Sequence, residues 1–189
     1  YDSFIITSEG SQARLKEMGA LSVNVVHIGI DPSEYVPLNL EKDLDIFFFG
    51  HNGDTRKKFI NMMVTEPSKV LDYKFLIGGR NYNMDLGKAK YISENTNFTK
   101  WKELSSRAKI NLNLVHELHA NTYATSTARI IELSALRCCI VSSPYQGLER
   151  WFEPKKEILI ANSTKEAIEI YQTLMEDSEL RLKIGLAAE

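Results

Sequence analysis

A chain of 189 residues, 43% apolar and 25% charged, is long enough to bury a real core in one domain, or in one domain plus part of another. Its net charge of −2 leaves no broad basic field of the kind that marks nucleic acid as the main partner. No apolar run reaches the ~18 residues that a membrane-spanning helix needs.

The opening "YDSFIITSEG" reads as a strand and carries no signal-peptide pattern; a start in mid-strand is expected of a fragment of a longer protein. "FIITS" (4–8) precedes the helix "SQARLKEMGA", with Gly19 as its stop. "VNVVHIGID" (23–31) is the next strand, and "PSEYVPLNLEKD", with two prolines, a linker. "LDIFFFG" (44–50) lacks alternation, as a strand covered on both faces should. The helix "DTRKKFINMMV" follows, with Asp54 as amino cap. "YKFLIGG" (73–79) is a second buried strand, and residues 80–98 carry no assignable element. "WKELSSRA" is a short helix, "KINLNLV" (109–115) a strand, "STARIIELSAL" a helix, and "RCCIVSS" and "EILIA" (157–161) strands. "KEAIEIYQTLMED" and "SELRLKIGLAAE" close the chain as helices. The adjacent Cys138 and Cys139 should point to opposite faces of their strand, unbridged, as reduced core residues of a cytosolic protein.

Strands alternating with helices predict an α/β fold: a Rossmann-like, mostly parallel sheet with helices on both faces. Ligands in such sheets bind at the carboxyl ends of the strands, where loops lead into helices. Three such loops carry candidate chemistry. In "FFFGHNGDTRKK", Gly50 and Gly53 allow close backbone approach, and Arg56 and Lys57 occupy a first helical turn, where a cation is unfavourable unless an anion is bound nearby. The spacing fits neither a dinucleotide fingerprint nor a P-loop. In "TSTARIIE", Thr125, Ser126 and Thr127 can cap a helix and present hydroxyls and amides together, and positions 125, 129 and 132 share a face. Arg129 could neutralise phosphate and Glu132 could accept from a ribose's two hydroxyls; alternatively the two simply pair at i, i+3. In "NLVHELHANTYA", His116 and His119 are three apart, not the four of a zinc-protease helix, and no cysteine is near, so they suit a polar pocket wall touching sugar or phosphate better than a metal site.

The order of these segments resembles the carboxyl half of GT-B glycosyltransferases of the group 1 family, especially its spore-maturation-type branch. "YDSFIITSEGSQARLKEMGALSVNVVHIGIDPSEYVP" looks like the end of that family's first domain and the crossing into the second. "IFFFGHNGDTRKK" resembles the loop that meets the donor diphosphate, and "SSRAKINLNLVH" the segment before the donor loop. "TARIIELSALRCCIVSSPYQGLERWFEPKKEILI" resembles the family's "R.FE..A.G" stretch, which puts its ribose-binding glutamate at Glu132 and its arginine at Arg129. Two departures stand out. Ala124 replaces the glutamate that in many members holds the donor sugar, a residue the spore-maturation-type branch also often lacks, and Arg137 replaces the usual glycine.

The resemblance implies residues 1–40 as the end of an acceptor-side first domain with the crossing, and 41–189 as a nucleotide-sugar-binding domain. It implies metal-independent transfer from a nucleoside-diphosphate sugar, usually with retention, to a glycan, lipid or protein acceptor, with no cofactor beyond the donor. The diphosphate would lie against Gly50, His51, Arg56, Lys57, Thr125, Ser126, Thr127 and Arg129, the ribose on Glu132, the base near Asn97 and Phe98, and the sugar by His116 and His119. No catalytic residue is assigned, because the acceptor side belongs to the missing first domain. The protein would be cytoplasmic, with any membrane contact made through that domain, and the fragment alone would transfer little. Competing readings are a nucleotide-sugar epimerase, for which no acid/base pair is evident, and a noncatalytic α/β nucleotide- or partner-binding module.

Overall fold

The structure is a computed structural model describing residues 2–51, 54–92 and 96–189. The cap read at Asp54 and the glycine at Gly53 therefore lie outside the described residues and side chains.

The chain begins with β1 (Ser3–Ile6), α1 (Gln12–Glu17) and β2 (Ser22–Val25), a small parallel pair with Ser3 opposite Ser22. Gly19 stops α1 at φ +97°, a conformation that costs glycine little. The strand read over 23–31 ends at Val25, because its four-residue partner has no more backbone to offer. Beyond it, the Ile28 N–H turns away to the Ser126 hydroxyl.

The main body follows in order: β3 (Leu44–Phe49), α2 (Lys57–Ile60), α3 (Glu66–Val70), β4 (Phe75–Gly78), β5 (Lys90–Ile92), α4 (Phe98–Arg107), β6 (Ala108–Asn113), α5 (Glu117–Ala120), α6 (Ala128–Ala135), β7 (Ile140–Ser142), β8 (Leu159–Ile160), α7 (Thr164–Glu176) and α8 (Ser178–Ala187). Six strands form one parallel sheet in the order β5-β4-β3-β6-β7-β8. This is the Rossmann-like α/β architecture expected from the alternation. Ile46, Phe47 and Phe48 are all buried, which explains the absence of a period-two pattern in β3: helices cover both faces.

The chain steps outward from β3 to β4 to β5, then returns so that β6 lies on the other side of β3. That reversal makes the carboxyl ends of β3 and β6 the switch point of the sheet, where a crevice opens between loops leading in opposite directions. Gly79, at φ +130°, sits so close to the Gly50 carbonyl that a Cβ there would lie 1.9 Å from it, and so packs the two loops together.

Between α2 and α3 the helix widens into a π-helical stretch, Asn61–Thr65. Pro67 has no N–H, so it cannot serve the Met63 carbonyl four residues back. The buried Tyr171 hydroxyl of α7 donates to that carbonyl instead, at 2.9 Å. One side chain thus repairs the helix and ties α7 to it, with its ring edge-on to Phe75 at 6.0 Å.

Several expected boundaries shift. β7 begins at Ile140, so Cys138 and Cys139 precede the strand instead of alternating within it; both are buried and unbridged. Burial raises both thiols to a pKa of about 12. α6 begins at Ala128, which leaves Thr125 and Ser126 outside the helix. The unassigned stretch contains β5, and the histidine loop contains α5. No helix among the described residues is long and apolar enough to cross a membrane.

Candidate functional site

A cavity of about 370 Å³ lies at the switch point. Phe48, Phe49, Gly50 and His51 come from the end of β3, Arg56 from the following helical turn, and Asn113 to His116 from the end of β6. His119 of α5 and the entry to α6, Ser126 to Arg129, form another wall. Thr7 and Ile28, from the β1–β2 unit, close the side.

The charge in this cavity is one-sided. Two arginines and three histidines line it, and no carboxylate does so among the described lining residues. Arg56 lies over the Phe48 ring, 5.9 Å from its centroid, and Nη1 donates to the His51 carbonyl. Its Nε is buried without a hydrogen-bond partner among the described residues. Burial lowers its pKa, and the nearby charge of Arg129 adds to this. Arg129 stacks on Trp101, with Cζ 4.3 Å from the ring centroid, and approaches Phe49 at 5.4 Å. Its Nη1 pairs with Glu132 Oε2 at 2.8 Å. The planar guanidinium suits this sandwich, because it can stack and hydrogen-bond at once.

His116 and His119 meet edge to face, ring centroids 5.4 Å apart. His116 Nδ1 lies 2.6 Å from Thr55 Oγ1, which fixes the ring's orientation. Burial lowers both histidine pKa values, and Arg56 lowers them further. The amino end of α6 faces the same space. Thr127 is its cap residue by position, yet its buried hydroxyl has no partner among the described residues. A helix amino end with unsatisfied donors is a ready anion site.

The candidate residues Gly50, His51, Arg56, His116, His119, Ser126, Thr127 and Arg129 thus converge on one cavity. The others stand elsewhere. Lys57 is exposed and does not line it. Thr125 lies outside α6, so it shares no helical face with Arg129 and Glu132; its hydroxyl donates to the Thr122 carbonyl. Ser126 lines the cavity, but its hydroxyl is engaged, accepting from Ile28 N–H at 3.0 Å and donating to the Thr7 carbonyl at 3.2 Å. Glu132 is outside the lining: besides Arg129, it accepts the Tyr35 hydroxyl at 2.9 Å. Asn97 caps α4 by accepting the Lys100 N–H, and Phe98 leans edge-on against Tyr35 at 5.1 Å.

Tyr35, Trp101 and Thr55 are the participants that the sequence did not single out. Tyr35 stands in the proline-flanked linker and packs on Phe98 and Trp101, linking that aromatic cluster to Glu132. Burial first, and then the Glu132 carboxylate, raise its phenol to a pKa of about 12. Trp101 had a weak signal, an aromatic pair at i, i+3 with Phe98.

A family model described as glycosyl transferase-like matches residues 56–189. The chain belongs to that family. No curated protein matches it in sequence. This glycosyl transferase-like chain is similar in fold to sucrose-phosphate synthase from Thermosynechococcus elongatus, with a TM-score of 0.72 and 14% identity over 99% of this chain and 52% of that one. It is similar to Anabaena HepE, solved in complex with UDP and glucose, with a TM-score of 0.68 and 12% identity over 99% of this chain and 57% of that one. The carboxyl-terminal domain of a group 1 family glycosyl transferase from Francisella tularensis superposes with a TM-score of 0.62 and 14% identity, over 85% of this chain and 94% of that one. The glycosyl transferase-like chain spans about half the length of the first two.

The family's two departures acquire a backbone meaning. Arg137 has φ +54° and follows α6 at the position where the chain reverses. Its N–H bonds to the Ser134 carbonyl, and the Cys138 N–H bonds to the Leu133 carbonyl. That pair is a Schellman ending, whose left-handed residue is ordinarily glycine. Ala124, at φ +48°, is likewise left-handed and fully buried.

Proposed function

We propose that this chain is the donor-binding half of a glycosyltransferase that takes a nucleoside-diphosphate sugar. One observation carries the reading: a switch-point cavity lined by two arginines, three histidines and a helix amino end, with no described carboxylate, and with Arg56 Nε and Thr127 Oγ1 buried and without partners among the described residues. Buried polar groups without partners are costly, and a diphosphate would supply acceptors to both. Family membership and the UDP-bound HepE neighbour point to the same ligand class.

In this reading Arg56, Arg129 and the α6 amino end stabilise the leaving diphosphate by fixed charge and amides, without a metal. Glu132 exchanges the Tyr35 hydroxyl for ribose hydroxyls, the base rests by Asn97 and Phe98, and His116 and His119 border the sugar phosphate. The acceptor, and any base acting on it, belong to a first domain of which residues 1–40 are the end. The β1–β2 unit supports this: Ile5 is 75% and Leu21 81% exposed, surfaces suited to a larger sheet. Transfer to a glycan, lipid or protein acceptor would proceed with retention once the two domains close over the donor and exclude water.

Calorimetry with a panel of nucleoside diphosphates tests the reading. One of them should bind, and Arg56→Ala should weaken it by about tenfold to a hundredfold, the worth of a charge-assisted hydrogen bond. Arg56 is the cleaner probe, because removing Arg129 would strand the Glu132 carboxylate. Glu132→Gln should weaken the nucleotide while sparing inorganic pyrophosphate. Absence of binding by every diphosphate, or indifference to Arg56→Ala, would refute the proposal.

A further inference from the structure

A second and larger cavity shares no lining residue with the arginine cavity. It is a groove of about 850 Å³ between α4 and the β4–β5 edge of the sheet, within the ~300–1,000 Å³ range of small-molecule sites. Leu44, Leu71, Leu76, Ile92 and Leu104 give it an apolar floor.

Its rim is cationic. Leu76 stands opposite Lys90 in the β4–β5 ladder, so the two share a face, and Lys74 and Lys88, from the segments leading into those strands, line the groove beside them. Lys88 and Lys90 are exposed and form no ion pair with a described residue. The cations on the α4 side differ: Arg107 is bound by Asp43 and Glu103, and Lys100 by Glu103. Asp72 is the one carboxylate among the described lining residues. A small hydrophilic anion would leave the leucine floor wet, and a plain hydrocarbon would make no use of the lysines. A molecule that satisfies both is a hydrocarbon chain ending in an anionic head.

We propose that this groove holds one chain of a lipid phosphate, the hydrocarbon along Leu76 and Leu104 and the phosphate between Lys88 and Lys90. The proposal does not depend on the donor reading.

Calorimetry on the full chain with monomeric octyl, decyl and dodecyl phosphate, inorganic phosphate and decanol tests it. Affinity should rise about fourfold per added methylene until the groove is full. Both decanol and inorganic phosphate should bind far more weakly. Lys88→Glu combined with Lys90→Glu, two exposed changes that leave Tm in place, should weaken decyl phosphate by about tenfold or more. The proposal fails if inorganic phosphate binds as tightly as the alkyl phosphates, or if the double variant binds normally. Binding to phosphatidylglycerol vesicles with no affinity for monomeric alkyl phosphate would also overturn it, because it would show attraction to a flat charged surface.

Discussion

His116 and His119 make the cavity sensitive to pH, and the sign follows from their surroundings. Burial and the Arg56 charge hold both below the ordinary histidine value in the ligand-free fold. The unfolded chain therefore binds more protons near pH 6, so stability is fully present above the unfolded histidine pKa of about 6.5 and falls as pH drops through the folded values. Thermal melts from about pH 7.5 to 5.5 should show a declining Tm, and His116→Gln with His119→Gln should flatten the slope. An anionic ligand facing the same rings reverses the bias by raising both values. Diphosphate binding should then take up protons and strengthen as pH falls, which calorimetry in buffers of differing ionisation enthalpy reads directly. At this scale much of the site was legible. Arginine in a first helical turn and histidines after a buried strand are anomalies that a bound anion would explain. Tyr35 was not legible, because nothing local in "PSEYVP" shows that its hydroxyl reaches a carboxylate 97 positions away.

Among the elements, α6 and the helix around Pro67 carry the sharpest tests. Arg137 holds the left-handed end of α6 at φ +54°, where a side chain is strained and glycine is not. Arg137→Gly should raise Tm by about 2–4 °C despite loss of its exposed pair with Glu189, measured by calorimetric melting. Tyr171→Phe removes the hydroxyl that donates to the Met63 carbonyl in place of Pro67's missing N–H; it should cost about 1–3 kcal/mol in denaturant unfolding. The order of elements was readable from alternating apolar runs, most clearly at β3 and α7. Their ends were not, since ladder partners decide them: β2 stops where β1 does, and β7 waits for Asn111. Three-residue β5 hides for the same reason. "KYI" carries no apolar run of its own and becomes a strand by pairing with Leu76 to Gly78.

Across the whole molecule, the switch between β3 and β6 locates the crevice before any side chain is considered. If a diphosphate fills it, hydrogen exchange should slow together at Gly50–His51, Val115–His119 and Thr127–Arg129, segments far apart in sequence. Protection confined to one of them would point to an ordinary surface ion. The fold class and the rim bearing the cavity were legible because parallel α/β sheets leave few alternatives. The involvement of the amino-terminal unit was not, for beside the Arg150–Glu9 pair and the edge-on contact of His27 with Trp151 its attachment uses backbone bonds that leave no trace in residue type: Glu9 N–H to Ala124, Gly10 N–H to Tyr123 and Ser126 N–H to Thr7. Those three bonds, with the Ser126 hydroxyl, place Thr7 and Ile28 beside the arginines. An occupant of the cavity would therefore grip both sheets at once, and linkage makes that grip mutual. Whatever bends or braces the β1–β2 unit must tune how firmly the occupant is retained, and by the same factor the occupant stiffens that joint.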